Sequence, residues 1–503
     1  MIIDRPICPD GQIALTGAST SPCLAASRPF ILVATILASA MGFIDGSVVT
    51  IALPSIERDL SAPFETIQWV INGYTLTLGS ILLIGGAAGD RYGRRRVFLM
   101  GIVIFTLASL GCALAPSITT LIGARLVQGT GAALMIPQSL AIITASFPKT
   151  VRGQAIGVWA AASAITTALG PPLGGFLIDA LSWRAVFWIN LPVACAVTWL
   201  TLSHVPESRN ETETAELDWL GGLLAVLALG ALTQGLSLAA ASSSLSKPVL
   251  ISFGVAALAL ALFGMRESRV SQPLLPPALL QSREFAGANL LTLLLYGAFS
   301  AMLFLLPFDL IVRRGYSASE AGLIFLPIGV VIGLASRSAG RWADSVGPRL
   351  PLILGSAIVA LAAILLALSL ANVWLGAVGP ILLMAIGMAV VVAPLTTAVM
   401  NAVPETESGI ASAVNNAASR LAGLSSVLIA GLAASLLYRH EVQSLFIDGT
   451  QELHFGVLPD LSSPARAPLE AAFLYAYQRA MLIAAGLAGL AAIAGAVLVR
   501  PQT

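Results

Sequence analysis

Asp45 and Arg125 are the residues whose type and setting most invite chemistry. Asp45 lies in the apolar run Ala40-Met41-Gly42-Phe43-Ile44-Asp45-Gly46-Ser47-Val48-Val49-Thr50-Ile51-Ala52-Leu53-Pro54. A carboxylate near the middle of a bilayer-spanning helix costs roughly 2.5–3.5 kcal/mol, and such residues usually face a bundle interior or a water-filled cavity. An acid there can bind and release a proton. Arg125 stands in a second apolar run, Arg125-Leu126-Val127-Gln128-Gly129-Thr130-Gly131-Ala132-Ala133, and needs a partner at that depth. Asp45 is the one acid well inside another span of the first half. Protonating it would remove its charge and loosen the pairing. The bland reading, a purely structural buried pair, stays open beside this one.

These residues need membrane-spanning helices to position them. Of 503 residues, 57% are hydrophobic and 10% charged, with a mean hydropathy of +0.90. Soluble domains carry about 25% charged residues. Runs of about 20 residues, enough to cross the hydrocarbon, fall near 30–52, 66–88, 97–115, 118–140, 153–176, 185–203, 219–239, 248–265, 286–307, 320–337, 350–370, 373–395, 408–437 and 473–499. The expected fold is therefore an all-α membrane protein of about fourteen transmembrane helices. The run at 408–437 reads either as one long element or as a span with an interfacial extension.

With the N-terminus inside, sixteen of the 26 basic residues fall in inside segments and eight outside, with Arg125 and Arg420 inside spans. That asymmetry favours two cytoplasmic termini. The first 27 residues lack a basic start followed by a short apolar core, so the first span is expected to stay as a signal anchor.

Several classes are excluded. A net charge of +1 offers no basic face for nucleic acid. The only lysines, Lys149 and Lys247, follow Pro148 and Ser246, so there is no Gly-Lys phosphate loop and no nucleotide is expected. Cys8, Cys23, Cys112 and Cys195 form no C-x-x-C pair, and His204, His440 and His454 are scattered, so neither a metal nor a disulfide framework is expected. The partners left are a small-molecule substrate and the lipid bilayer, with the protein a monomer.

The sharpest motif follows the second span: Gly86-Ala87-Ala88-Gly89-Asp90-Arg91-Tyr92-Gly93-Arg94, continued by Arg95 and Arg96. Its glycines permit close helix approach, Asp90 can accept from the N–H groups of a helix start, and the arginines suit an anionic leaflet. A weaker copy runs from Gly340 through Asp344 to Gly347, 254 residues further on at all three positions. Two parallel six-helix halves follow from this repeat. The expected division is a tail at 1–29, a bundle at 30–204, a linker with two additional helices at 205–284, a bundle at 285–499 and a tail at 500–503.

The Gly86–Arg96 string resembles the loop between the second and third helices of the major facilitator superfamily. That resemblance implies that Gly86, Asp90, Arg91, Gly93 and Arg94, with Asp344 in the second copy, form a conformational gate rather than a ligand site. The Arg125 run resembles the fourth-helix motif in which the arginine is tied to proton coupling. Gly170-Pro171-Pro172-Leu173-Gly174-Gly175 resembles the motif of the superfamily's antiporters, which points to export. Three further strings, Phe43–Pro54, Ser182–Pro192 and Leu217–Gly221, resemble the fourteen-helix drug:proton antiporter branch. The implied activity is export of lipophilic or cationic small molecules, drugs or antibiotics, in exchange for protons, with no cofactor besides the coupling ion. A dedicated exporter of one endogenous metabolite or self-made antibiotic is the alternative.

Substrate contacts are expected among Gln68, Trp69, Asn72 and Tyr74 on the second span, Asn289, Tyr296 and Phe299 on the ninth, and Asn415 and Asn416 on the thirteenth. Mixed aromatic and amide groups suit an apolar pocket with a few polar orienters. Asp309 departs from the branch, which usually has tyrosine there. It is either a second ionisable site or a rim acid paired with Arg313 or Arg314.

Overall fold

A computed structural model describes residues 22–208, 218–242, 246–270, 281–403, 408–444, 455–456, 458 and 466–499. Among them there is no strand. The helices are α1 (Pro22–Asp59), α2 (Phe64–Tyr92), α3 (Arg94–Ala113), α4 (Ile118–Ser146), α5 (Lys149–Ala180), α6 (Ala185–Trp188), α7 (Asn190–His204), α8 (Trp219–Ser242), α9 (Lys247–Glu267), α10 (Arg283–Pro307), α11 (Ala318–Val346), α12 (Arg349–Leu368), α13 (Gly379–Asn401), α14 (Ser408–Ser444) and α15 (Arg466–Leu498). Short π-helical turns extend α10 (Phe308–Arg313) and precede α13 (Trp374–Val378).

Among the described residues, twelve helical segments are long and apolar enough to cross a membrane. The helices α2 and α5, 29 and 32 residues long, have the length as well. Counting both would give the fourteen crossings expected from the sequence. The predicted sixth span is broken between Trp188 and Asn190 into α6 and α7. The predicted run at 408–437 is one helix, α14, of 37 residues.

Successive helices alternate in direction, so the turns collect at two ends. Residues 60–63 and 114–117 lie at what we call the cap end, and Gly93 lies at the loop end. Helix starts are marked by local chemistry: Ser117 accepts from Thr120 N–H, Ser282 from Phe285 N–H, and Ser317 with Glu320 forms a capping box. Helices α1–α7 pack on one another, as do α10–α15, while α8 and α9 pair with each other and α8 also lies against α2 and α14.

The two groups of helices meet along α5–α11 and α2–α14. Gly175 lies on the backbone of Ala318, and Gly322 on that of Pro171, so side chains at either position would hold α5 and α11 apart. At the cap end Phe64 of the first group sits among Phe304, Phe308 and Phe455, with ring centroids 5.6, 5.0 and 5.0 Å away. Glu65 pairs with Arg439 across the same seam at 2.7 Å. Asp179 of α5 accepts from the backbone N–H groups of Ala318 (3.3 Å) and Ser319 (2.8 Å). It thereby fills unsatisfied donors at the start of α11, where a carboxylate also meets the positive end of the helix dipole.

Candidate functional site

Asp45 and Arg125 do meet, across α1 and α4, and each is 1% exposed. The Arg125 Nη1 group donates to Asp45 Oδ2 and, at 2.7 Å, to Gln128 Oε1. Its Nε donates to the Val70 carbonyl of α2 at 2.8 Å. The guanidinium also stacks 4.3 Å from the Tyr74 ring centroid, and Tyr74 itself donates to the Gly42 carbonyl at 3.1 Å. The other carboxylate oxygen, Asp45 Oδ1, accepts from Gln128 Nε2 (2.9 Å) and Asn190 Nδ2 (3.4 Å). Asn190 is in turn fixed by Ser109 (3.0 Å), whose hydroxyl donates to the Phe187 carbonyl (2.9 Å). The break between α6 and α7 places Asn190 at the first position of the new helix, aimed back at Asp45.

Every charged group of this cluster is answered by an opposite charge or a dipole, the condition under which a buried pair persists. Gln128 and Asn190 escaped the sequence reading as participants, although both stand inside strings quoted for their motifs. Gln128 follows Arg125 by three positions, one turn along the same helix face.

Beside the pair lies a cavity of about 480 Å³ between the two groups of helices. Arg125 and Tyr74 are on its wall, as are Gly42 and Gly46 on either side of Asp45 in sequence. The carboxylate itself sits one layer behind them. Four of the expected substrate contacts line the cavity: Tyr74, Tyr296, Phe299 and Asn416.

The other five are not on its wall in this structure. Gln68 is buried against Gly431 where α2 meets α14. Trp69 packs with Leu76, Leu424 and Leu428. Asn72 is fully buried, with neither amide atom hydrogen-bonded. Asn415 donates to Asn289 (3.2 Å) and Thr292 (2.7 Å), which ties α14 to α10. Helix packing claims these amides.

Asp309 is fully buried at the cap end, held by Arg313 Nε at 2.5 Å and Arg314 Nε at 2.7 Å. Both arginines take it, and it is not on the cavity wall. In the antiporter-type string, Gly170 and Gly174 pack on Ser47 and Val48 of α1, Gly175 packs on α11, and Pro171 reaches the cavity.

At the loop end the described contacts of the motif centre on Gly93 and Glu207. Gly93 has φ 104°, a conformation that favours glycine, and Glu207 lies against it. The Glu207 carboxylate accepts from Arg95 N–H (3.0 Å) and Arg96 N–H (3.2 Å), capping α3 in the role expected of Asp90. Gly86 gives its carbonyl to Gln138 at 3.2 Å. Arg91 is exposed beside Tyr92, and Arg94 N–H donates to the Ser208 carbonyl at 2.9 Å. The side chains of Asp90 and Asp344 lie outside the described residues.

A cavity at the seam of two helical groups, with a buried ion pair behind its wall, defines a solute-moving membrane protein. Residues 35–427 match the model of the Major Facilitator Superfamily, and the chain belongs to that family. It is a multi-pass membrane transporter of small molecules, not an enzyme. The Multidrug resistance protein Stp of Mycobacterium tuberculosis is 34% identical over 487 residues, covering 92% of this chain and 90% of that protein. The Tetracenomycin C resistance and export protein of Streptomyces glaucescens is 34% identical over 330 residues, 65% of this chain and 61% of that one. Among solved structures, a bacterial homolog of the human lysosomal transporter Spinster, inward-facing and occupied, is similar with a TM-score of 0.66. It is 18% identical, with 94% of this chain and 97% of that one covered, a likeness of fold.

Proposed function

We propose that this protein exports drug-like small molecules across the cytoplasmic membrane in exchange for protons, by alternating access. The observation that carries the reading is Asp45: a 1%-exposed carboxylate, answered by Arg125, Gln128 and Asn190, one layer behind the cavity wall. The names of the relatives support export of antibiotics. In this reading both termini are cytoplasmic, the loop end faces the cytoplasm and the cap end faces outward. The bundles 30–204 and 285–499 of a monomer rock about the cavity, with α8 and α9 beside them. The seam contacts at the cap end support an outward-closed arrangement in this reading. Gly86, Arg91, Gly93 and Arg94 reshape as the loop end closes, and the Gly170–Gly175 segment slides on α1 and α11.

Opening outward admits a proton to Asp45, which neutralises the carboxylate and frees Arg125 from its charge partner. Returning to the inward state releases the proton and resets the pair. The magnitude is adequate: one charge crossing 100 mV releases about 2.3 kcal/mol, and a tenfold gradient costs about 1.4 kcal/mol. One proton therefore sustains a gradient of tens-fold from potential alone. The test is substrate uptake into everted vesicles energised by respiration, over a panel of antibiotics and dyes. Asp45→Asn should bind cargo yet lose the part of transport that an uncoupler abolishes; undiminished transport overturns the assignment. A panel in which a single compound moves would select the dedicated exporter.

A further inference from the structure

Arg420 is the second arginine inside a membrane span, and nothing in the Asp45 machinery uses it. It lies on α14 facing α2 at Gly79, the midpoint of that helix, and it lines the cavity. A Cβ at Gly79 would come within 3.2 Å of the Arg420 stem, so the glycine leaves the room in which that side chain lies.

The contrast with Arg125 on the same wall is chemical. Arg125 is 1% exposed, hydrogen-bonded to Asp45, Gln128 and Val70, and stacked on Tyr74. Half-buried Arg420 has no hydrogen bond, ion pair or aromatic stacking partner among the described residues. Nor does any aspartate or glutamate appear among the described residues that line the cavity. A guanidinium at that depth is costly without a counter-charge. The described residues supply none at the cavity, so the counter-charge arrives with the ligand. A planar five-donor fork also matches a carboxylate better than it matches any neutral group.

We propose that the cavity takes amphipathic organic anions, with a carboxylate or similar acid group paired to Arg420. The apolar body lies on the aromatic wall formed by Phe43, Phe299, Phe304 and Phe325. This deepens the export reading and rests on it for the direction of transport, but not for binding. It narrows the lipophilic class of cargo to its negatively charged members, and it makes Arg420 the residue that selects them. Coupled to one inward proton, export of a monoanion moves two elementary charges per cycle, whereas a neutral cargo moves one and a monocation none.

The test uses two probes with the same ring and opposite charge, pyrenebutyrate and pyrenebutylamine, bound to the full chain in neutral-lipid nanodiscs near neutral pH. Because the ring is shared, its apolar contribution cancels in the comparison. The expected result is at least tenfold tighter binding of the acid. Arg420→Gln should remove that preference while leaving amine binding unchanged or improved. Arg420→Lys should restore most of it, since a point charge keeps the attraction and loses the fork. Among the described residues Arg420 holds no other, so each variant should fold, and the melting temperature checks it. Wild-type protein that binds the amine as tightly as the acid, or neither probe, overturns the proposal, as does unchanged acid affinity in Arg420→Gln. Failure of the export reading shows separately, as undiminished, uncoupler-sensitive transport in the Asp45→Asn vesicles with the binding preference intact.

Discussion

Two buried carboxylates, Asp45 and Asp309, are both paired with arginine and both at most 1% exposed, yet they are built differently. Asp309 meets Arg313 and Arg314, four and five positions along its own π-helical turn. That unit moves as one body, whatever the helices around it do. The partners of Asp45 are 80, 83 and 145 positions away, on α4 and α7, and Arg125 is steadied by a carbonyl of α2. Its surroundings exist only while four helices keep their places. A proton can be coupled to helix movement only where movement changes what the carboxylate touches. On this ground Asp45 is the switch and Asp309 a fastening of the cap end, where Arg313 and Arg314 also hold Ser369 at 2.8 Å and the Leu370 carbonyl at 3.0 Å.

The largest expected effect separates the two directly. Asp45→Asn should reduce energised transport to that of vesicles without the protein, and it strands the buried Arg125 at a cost of about 3–5 kcal/mol. Asp309→Asn should also destabilise but spare coupling. It strands two guanidinium groups, a loss of about 3–5 kcal/mol by analogy with broken buried pairs, while transport per folded molecule keeps its dependence on the proton gradient. Loss of coupling in Asp309→Asn would break the comparison.

Next in size is Arg125→Met, which leaves Asp45 buried without its counter-charge and should cost a similar ~3–5 kcal/mol. The double variant Asp45→Asn/Arg125→Met should recover most of that stability without recovering transport. A strongly non-additive thermal shift of this kind measures the pair itself. Additive losses would mean that Arg125 serves chiefly Val70 and Tyr74.

A smaller effect is expected at the seam. Asp179→Asn weakens the capping of α11 by about 0.3–1 kcal/mol, enough to shift a balanced equilibrium between closed and open cap ends severalfold. Distances between spin labels on the cap ends of α5 and α11 should show a larger open population. An unchanged distribution would leave the glycine contacts, the Phe64 cluster and the Glu65–Arg439 pair to hold the seam.

What was legible in the sequence follows from where the physics is local. Asp45, Arg125 and Arg420 stand out because a charge in an apolar run is anomalous wherever the helix ends up. The Gly93 turn is legible because positive φ favours glycine. Which face of a helix lines the cavity is not legible, because both the lipid side and the packed side of these helices are apolar, and amphipathic pattern is lost. Gln68, Asn72, Asn289 and Asn415 suit a pocket by residue type, and in this structure they lie between helices. Gln128 and Asn190 were overlooked because only the fold brings α4 and α7 to the same carboxylate.

A further prediction concerns a third buried carboxyl group. Glu57, on the last turns of α1, is 2% exposed, and neither of its oxygens meets a hydrogen-bond donor; Gly456 packs directly on it. Unlike Asp45 and Asp309, it has no arginine bonded to it among the described residues. A buried polar group without a partner costs about 1–3 kcal/mol, and an apolar group of similar shape removes that cost. Glu57→Met should therefore raise the melting temperature by about 1–2 °C and leave coupled transport intact. If stability rises but proton-driven transport falls, the unpaired acid is retained for coupling, and the division between one switching carboxylate and one fastening carboxylate must admit a second switch at the cap end.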